Sequence, residues 1–230
     1  MNTTAIILGI VIIILIYVLY RYFTNTTTTL GSLTDLSNRS TTAVFTKKGD
    51  IASSTSPRYS FGLWVYIDSW DLNQTKNIFY RKNSETAGKY DIRLYLDKFS
   101  PTLKCDFYTK GSTADTETIT ITNNFPVQKW VYIIISADNK IIDCYIDGKL
   151  VTSQQLKNQP TVSDTDIYVG VFNAHLAKFQ RITSPMDPQT AWSNYMSGNG
   201  GNSLSKIFSS YGVDVIFKKD NVNQQTFNIF

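Results

Sequence analysis

The sequence predicts an all-β fold, a sandwich of two antiparallel sheets, carried behind one N-terminal transmembrane helix. Three observations lead there. Short segments alternate apolar and polar residues at roughly ten-residue spacing. Turn formers separate them, and Asn, Thr, Ser, Ile and Tyr are abundant. Beyond the first 23 residues, only one stretch has the period of a helix. At 230 residues with 42% apolar content, the chain holds one domain of ordinary size plus appendages. A net charge of +4, with no basic block beyond Lys47-Lys48 and Lys218-Lys219, gives no reason to expect a nucleic-acid partner.

The elements follow in chain order. Residues 1–4 form a short polar tail. Ala5 to Tyr20 reads AIILGIVIIILIYVLY, with no charge before Arg21. With Tyr22 and Phe23 it makes a single transmembrane helix over 5–23, and Tyr17, Tyr20, Arg21 and Tyr22 lie at the membrane interface. No basic region precedes the run and no small-x-small site follows, so a retained anchor is expected rather than a cleaved signal. The positive charges, Arg21, Arg39, Lys47 and Lys48, come after the span. They place the C-terminal domain of this single-pass protein on the cytosolic side. Sequons at Asn2, Asn25, Asn38 and Asn73 point the other way, but are common by chance in so Asn/Ser/Thr-rich a chain. Residues 24–42 are Thr/Ser-rich and without period, and read as a tether.

The sandwich is expected over residues 43–198. Tyr59 to Ile67 sets Tyr59, Phe61, Leu63, Val65 and Ile67 on one face, and Ser60, Gly62, Trp64 and Tyr66 on the other. YDIRLYLD, LKCDFYTK and TETITIT alternate likewise. Trp130 to Ser136 and Ile141 to Ile146 flank ADNK, read as a four-residue hairpin loop, and Asp147-Gly148 makes a second tight turn. DPQTAWSNYMSG is the helical candidate, with Pro188 in its first turn and Gly198 placed to stop it. Cys105 and Cys144 fall on apolar strand faces and read as buried free thiols. Residues 199–230 are a Gly/Asn-rich linker, then a terminal β-hairpin or an arm that adds to another sheet edge.

Three segments in this order resemble the concanavalin A-like, laminin-G-type jelly rolls: YSFGLWVYIDSW, KWVYIIISADNKIIDCYIDGKLV and DIYVGVFNAHLAKFQRITSPMDPQTAWSNYMSG. The glycine usual before the returning strand is missing, and His175 to Ala177 occupy its place. The anchor, the sandwich and the terminal GVDV and KKDN motifs together resemble capsid-associated membrane proteins of nucleocytoplasmic large DNA viruses. That resemblance implies a structural protein of the virion, its partners an internal membrane's lipid bilayer and capsid or other assembly proteins.

The alternative is a surface glycan-binding or adhesion module. Asp68, Trp70, Asp71 and Asn73 sit in one loop, DSWDLNQ, where an aromatic ring with carboxylate and amide groups suits a sugar. A packed Trp70 with turn-capping aspartates explains the same residues without a ligand. Glycoside hydrolase activity is the remote alternative. The Glu-x-Asp-x-x-Glu run of the resembled hydrolases is missing, and the glutamates are Glu85 and Glu117 alone. His175, the one histidine, has no Cys, His or Asp cluster around it in sequence. No catalytic residue, metal or cofactor is expected.

Overall fold

The computed structural model describes residues 3–23, 27–40, 43–111, 115–200, 214–219 and 222–228. Within them, side chains are described for all but 3–7, 20–23 and 214–228. In chain order the elements are α1 (Thr3–Phe23), β1 (Thr27–Gly31), β2 (Thr34–Asp35), β3 (Arg58–Ile67), β4 (Lys76–Lys82) and β5 (Tyr90–Leu96). Next come β6 (Leu103–Lys110), β7 (Thr116–Thr122), β8 (Val131–Asp138), β9 (Ile141–Ile146) and β10 (Lys149–Gln155). The last are β11 (Gln159–Pro160), β12 (Ile167–Tyr168), β13 (Ala174–Ile182), α2 (Pro188–Met196), β14 (Asp214–Lys219) and β15 (Val222–Asn228).

Two antiparallel sheets stack face to face. One runs β1-β13-β3-β8-β9-β10 with β2 also on β13, and the other runs β11-β6-β5-β4-β12 with β7 on β6. Alternation decides which side chains meet. Tyr59, Phe61, Leu63, Val65 and Ile67 of β3 all enter the core between the sheets, opposite Phe79, Leu94, Cys105 and Phe107. The other face of β3 is covered too. Trp64 joins Tyr132, Ile134, Tyr145 and Met186 in a second cluster that seats α2 through Ala191 and Tyr195. Asp187 caps α2, its carboxylate accepting from the Thr190 amide at 2.9 Å, and hydrogen bonding by the Thr190 side chain first and its amide second holds the Asp187 pKa below the usual range.

Turn chemistry departs from expectation at one hairpin. Asp138 pairs with Ile141, so the β8–β9 turn is the two residues Asn139 and Lys140. Asn139 takes φ +56°, a conformation that asparagine tolerates. At the next turn Asp147 and Gly148 have φ +48° and +75°. Gly148 is needed twice over, because a Cβ there would lie 3.1 Å from the Trp192 Cα. In the returning strand β13, where the usual glycine is missing, the ladder to β3 breaks between Ala177 and Gln180. Lys178 takes up the bulge at φ +45°.

The expected tether is a correction. Thr27–Gly31 forms β1, paired antiparallel with β13, and Thr34 and Asp35 pair with Leu176 and His175. Backbone bonds to a core strand hold this segment, with Leu30 and Leu36 buried beneath it. Residues 24–26 alone separate α1 from β1, so the Phe23 and Thr27 Cα atoms lie within about 15 Å of each other. The start of β1 sits beside Ile182, and Ile182 pairs with Ser60. The chain therefore enters the sandwich at the end where β3 begins, the entry end.

Along α1 the large apolar residues from Leu8 to Leu19 are 45–68% exposed, facing no other part of the described protein. Among the residues whose side chains are described, 8–19 in α1, no helical stretch is long and apolar enough to cross a membrane. Tyr17 is exposed, and the side chains of Tyr20, Arg21 and Tyr22 lie outside the described residues.

Cys105 and Cys144 are free and fully buried. Burial pushes the Cys144 thiol to about 12 and the Cys105 thiol well above its ordinary 9.0. An acid raised on folding contributes stability that is whole below its unfolded pKa and is lost as pH climbs toward the folded value. Stability is thus expected to fall between about pH 9 and 12, where the unfolded thiols ionise and the native ones do not. At pH 8 a thiol reagent should label neither cysteine faster than the protein unfolds. Rapid labelling of the native protein contradicts this packing.

Candidate binding surface

The expected ligand loop lies between β3 and β4, at the end of the sandwich opposite the entry end. Asp68, Trp70, Asp71 and Asn73 stand there together, but the side chains of Asp68, Trp70 and Asp71 are engaged with the protein. The Asp68 carboxylate lies 3.2 Å from His175 Nε2. Asp71 Oδ1 accepts from the Asn73 backbone amide at 2.8 Å, closing the turn. Trp70 packs against the main core, and the Lys76 ammonium lies 4.0 Å from its ring centroid. The indole is therefore a lid over a buried cation and not an open stacking platform.

Lys76 does the joining. It is 1% exposed and donates to the Gln74 carbonyl at 3.1 Å and to the Lys98 carbonyl at 3.2 Å. Desolvation lowers its pKa, opposed by the charges of Asp71 and Asp97. Two loops are so fastened to each other. A third joins them, since Phe125 donates its amide to Pro101 O at 2.7 Å and Gln128 donates to Ile67 O at 2.9 Å. Each loop ends in an exposed apolar residue: Leu72 at 56%, Phe99 at 72% and Val127 at 44%. These tips were not singled out from sequence, because each is an isolated apolar residue in a polar loop.

A second surface runs along one flank, where β7 of one sheet and β10 of the other leave a seam. Thr152 Oγ1 donates to the Ile121 carbonyl across it at 3.4 Å. Toward the loop-tip end the seam opens into a groove of about 470 Å³ lined by Ile121, Pro126, Ile146, Val151, Trp192 and Tyr195, with Asn124, Asp147 and Lys149 at its rim. Trp192 is 44% exposed there. Toward the entry end a polar groove of about 490 Å³ includes Asp115, Glu117, Gln154 and Lys157. Glu117 accepts from the backbone amides of Lys157 and Asn158 at 3.0 and 3.3 Å. Asp147 is likewise engaged, accepting from the Tyr132 amide at 2.9 Å and lying 3.4 Å from Lys129 Nζ. Among the described residues no group of His, Cys, Asp and Glu is arranged to hold a metal ion.

The profile of the concanavalin A-like lectin/glucanases superfamily matches residues 38–199. Among curated proteins no relative matches the chain. Among solved structures, the binding domain of botulinum neurotoxin DC, in complex with rat synaptotagmin II, is similar with a TM-score of 0.51 and 15% identity. That match covers 66% of this chain and 38% of the other. Two mutants of HCR/D are similar at a TM-score of 0.50 and 14% identity, covering 62% and 64% of this chain and 38% of each. The chain thus spans under two fifths of the length of those structures. At such identities the likeness is one of fold.

If Trp70 is a structural lid, replacing it by alanine opens a cavity and exposes Lys76 to water. Trp70→Ala should lower stability to urea by about 2–4 kcal/mol. A change within about 0.5 kcal/mol, the usual range for a surface position, would make Trp70 a free platform after all.

Proposed function

The chain belongs to the concanavalin A-like lectin/glucanases superfamily, and from that premise we propose a non-enzymatic structural role: a membrane-anchored linker that joins a bilayer to a protein assembly. The observation that carries this reading is the opposed placement of its two apolar features. Helix α1 reaches the sandwich at the entry end across three residues, 24–26. The tips Leu72, Phe99 and Val127 stand at the other end, a β3 length or about 33 Å away.

The helix argues for lipid. Its 21 residues rise about 31 Å, the thickness of a hydrocarbon core. Apolar side chains exposed all round leave no polar face for water. With the charges of Arg21, Arg39, Lys47 and Lys48 following the helix, the sandwich lies on the cytosolic side. A minor capsid-type protein between an internal viral membrane and its shell fits this arrangement, with the tips as the contact to the assembly.

A second reading, glycan binding, is favoured by the half-exposed Trp192 with Asn124 and Lys149 beside it. It moves the expected sugar contact from the β3–β4 loop to the flank groove.

In microsomes, the full chain should stay with the membrane through an alkaline carbonate wash, and Asn73, exposed in its loop, should remain unglycosylated. Release by carbonate removes the anchor, and a glycan on Asn73 reverses the topology. Retention on a glycan array that Trp192→Ala reduces at least tenfold, with unchanged folding, would replace the linker reading by the second.

A further inference from the structure

The long edge of the larger sheet is open. Strand β10 pairs with β9 on one side, and among the described residues no backbone bond is made on the other. All of its residues except Thr152 are exposed, including Leu150 at 49% and Val151 at 45%. A bulge between Leu150 and Thr152 leaves Thr152–Gln155 as the regular stretch. A bare edge of this kind is a template for another strand.

The same chain holds a strand pair in need of one. β14 and β15 pair with each other over Asp214↔Asn228 to Lys219↔Val222, as a two-stranded sheet apart from the sandwich. A lone hairpin is marginal in water, and a third strand with a surface to rest on is what stabilises it.

We propose that the C-terminal hairpin adds to its own sandwich, with β15 lying antiparallel to β10 along the flank seam. Chain length permits it. Gly200 lies against the Lys178 side chain of β13, where an added Cβ would be 3.5 Å from Lys178 Cε. From β13 to β10 is four strand spacings in the sheet order, and β15 and then β14 beyond it add two more, about 29 Å in all. The fourteen steps from Gly200 to Asp214 reach roughly 46 Å extended. A tether of that length gives the intramolecular partner an effective concentration far above that of a second copy in dilute solution.

Charge and composition agree with the orientation. β15 antiparallel to β10 sets Lys218 and Lys219, the end of β14, at the entry end of the seam, where Asp115 and Glu117 line the polar groove beside Lys157. The regular stretch Thr152-Ser-Gln-Gln then faces Asn223-Gln-Gln-Thr226, two polar strands of matched character. The docked hairpin also closes the Trp192 groove, so this inference and glycan binding exclude each other at that site.

The test uses the full chain in detergent. Amide hydrogen exchange of β10 should be slowed at least tenfold relative to an Asn223→Pro/Gln225→Pro variant, while β8 and β9 amides exchange alike in both. Equal exchange of β10 in the two proteins overturns the proposal. So does protection that disappears on tenfold dilution, which would mean pairing with a second copy. In parallel, Ser153→Cys combined with Gln225→Cys should oxidise to an intrachain disulfide in a monomer. A disulfide-linked dimer, or no link under oxidation, overturns the proposal independently of how the proline variant folds.

Discussion

One ladder organises the molecule, the pairing of β1 with β13. β13 is the returning strand of the sandwich, bonded to β3 on one side and to β1 and β2 on the other. Because β1 runs antiparallel to it, the chain can enter the domain at one end only, and the loops carrying Leu72, Phe99 and Val127 fall at the opposite end. The strand is held from below as well. Arg181, fully buried, donates to the Ala52 and Ser53 carbonyls, and Arg81, 2% exposed, reaches Ser54, Ser163 and Thr165 carbonyls. The hydrogen bonds of both guanidinium groups go to backbone oxygens held in place by the fold, with Asp91, Asp164 and Asp166 acting on Arg81 at longer range. Breaking the β1 ladder would release both α1 and the loop that the arginines grip.

Where the sequence pattern is strong, the structure follows it. Period-two alternation in β3 placed five residues in the core, because a single-residue slip would have sent Ser60 and Gly62 inward. The Asp147-Gly148 turn and the start of α2 at Pro188 were equally legible, each resting on a local backbone requirement. What misled was composition without tertiary context. Thr27–Gly31 buries only Leu30 among its side chains and looks like a tether, yet its backbone bonds to β13 suffice to make it a strand. The ADNK turn was read two residues too long, since Ala137 is buried strand and Asp138 pairs with Arg58 across the sheet at 2.9 Å.

The binding surfaces were less legible than the fold, for a physical reason. Trp70 with two aspartates and an asparagine is a plausible sugar loop in one dimension. In three, Lys76 takes the indole face and His175 approaches Asp68, partners that lie 6 and 107 positions away in sequence. Trp192 lies within the helical candidate DPQTAWSNYMSG, but Ala191 is what buries against the sheet, leaving the indole half out. Trp64 and Tyr132 on the outward strand faces were the available signal that something covers this sheet.

The short connection between α1 and β1 changes the mechanics expected of such a protein. A nineteen-residue tether would let a domain explore a wide shell above a membrane, on the order of 25 Å root-mean-square from its attachment. Three residues do not permit that. With the entry end held within about 15 Å of the helix terminus, the sandwich stays on a short leash to α1, and under the proposed anchoring of α1 in lipid its far end would stand at a height set by the β-strands. A domain so confined meets a partner at a repeatable distance, which suits a spacer between two layers better than a receptor that must search for soluble ligand. The loop tips, tied to one another through Lys76 and the backbone bonds of Phe125 and Gln128, keep that geometry to the end of the domain.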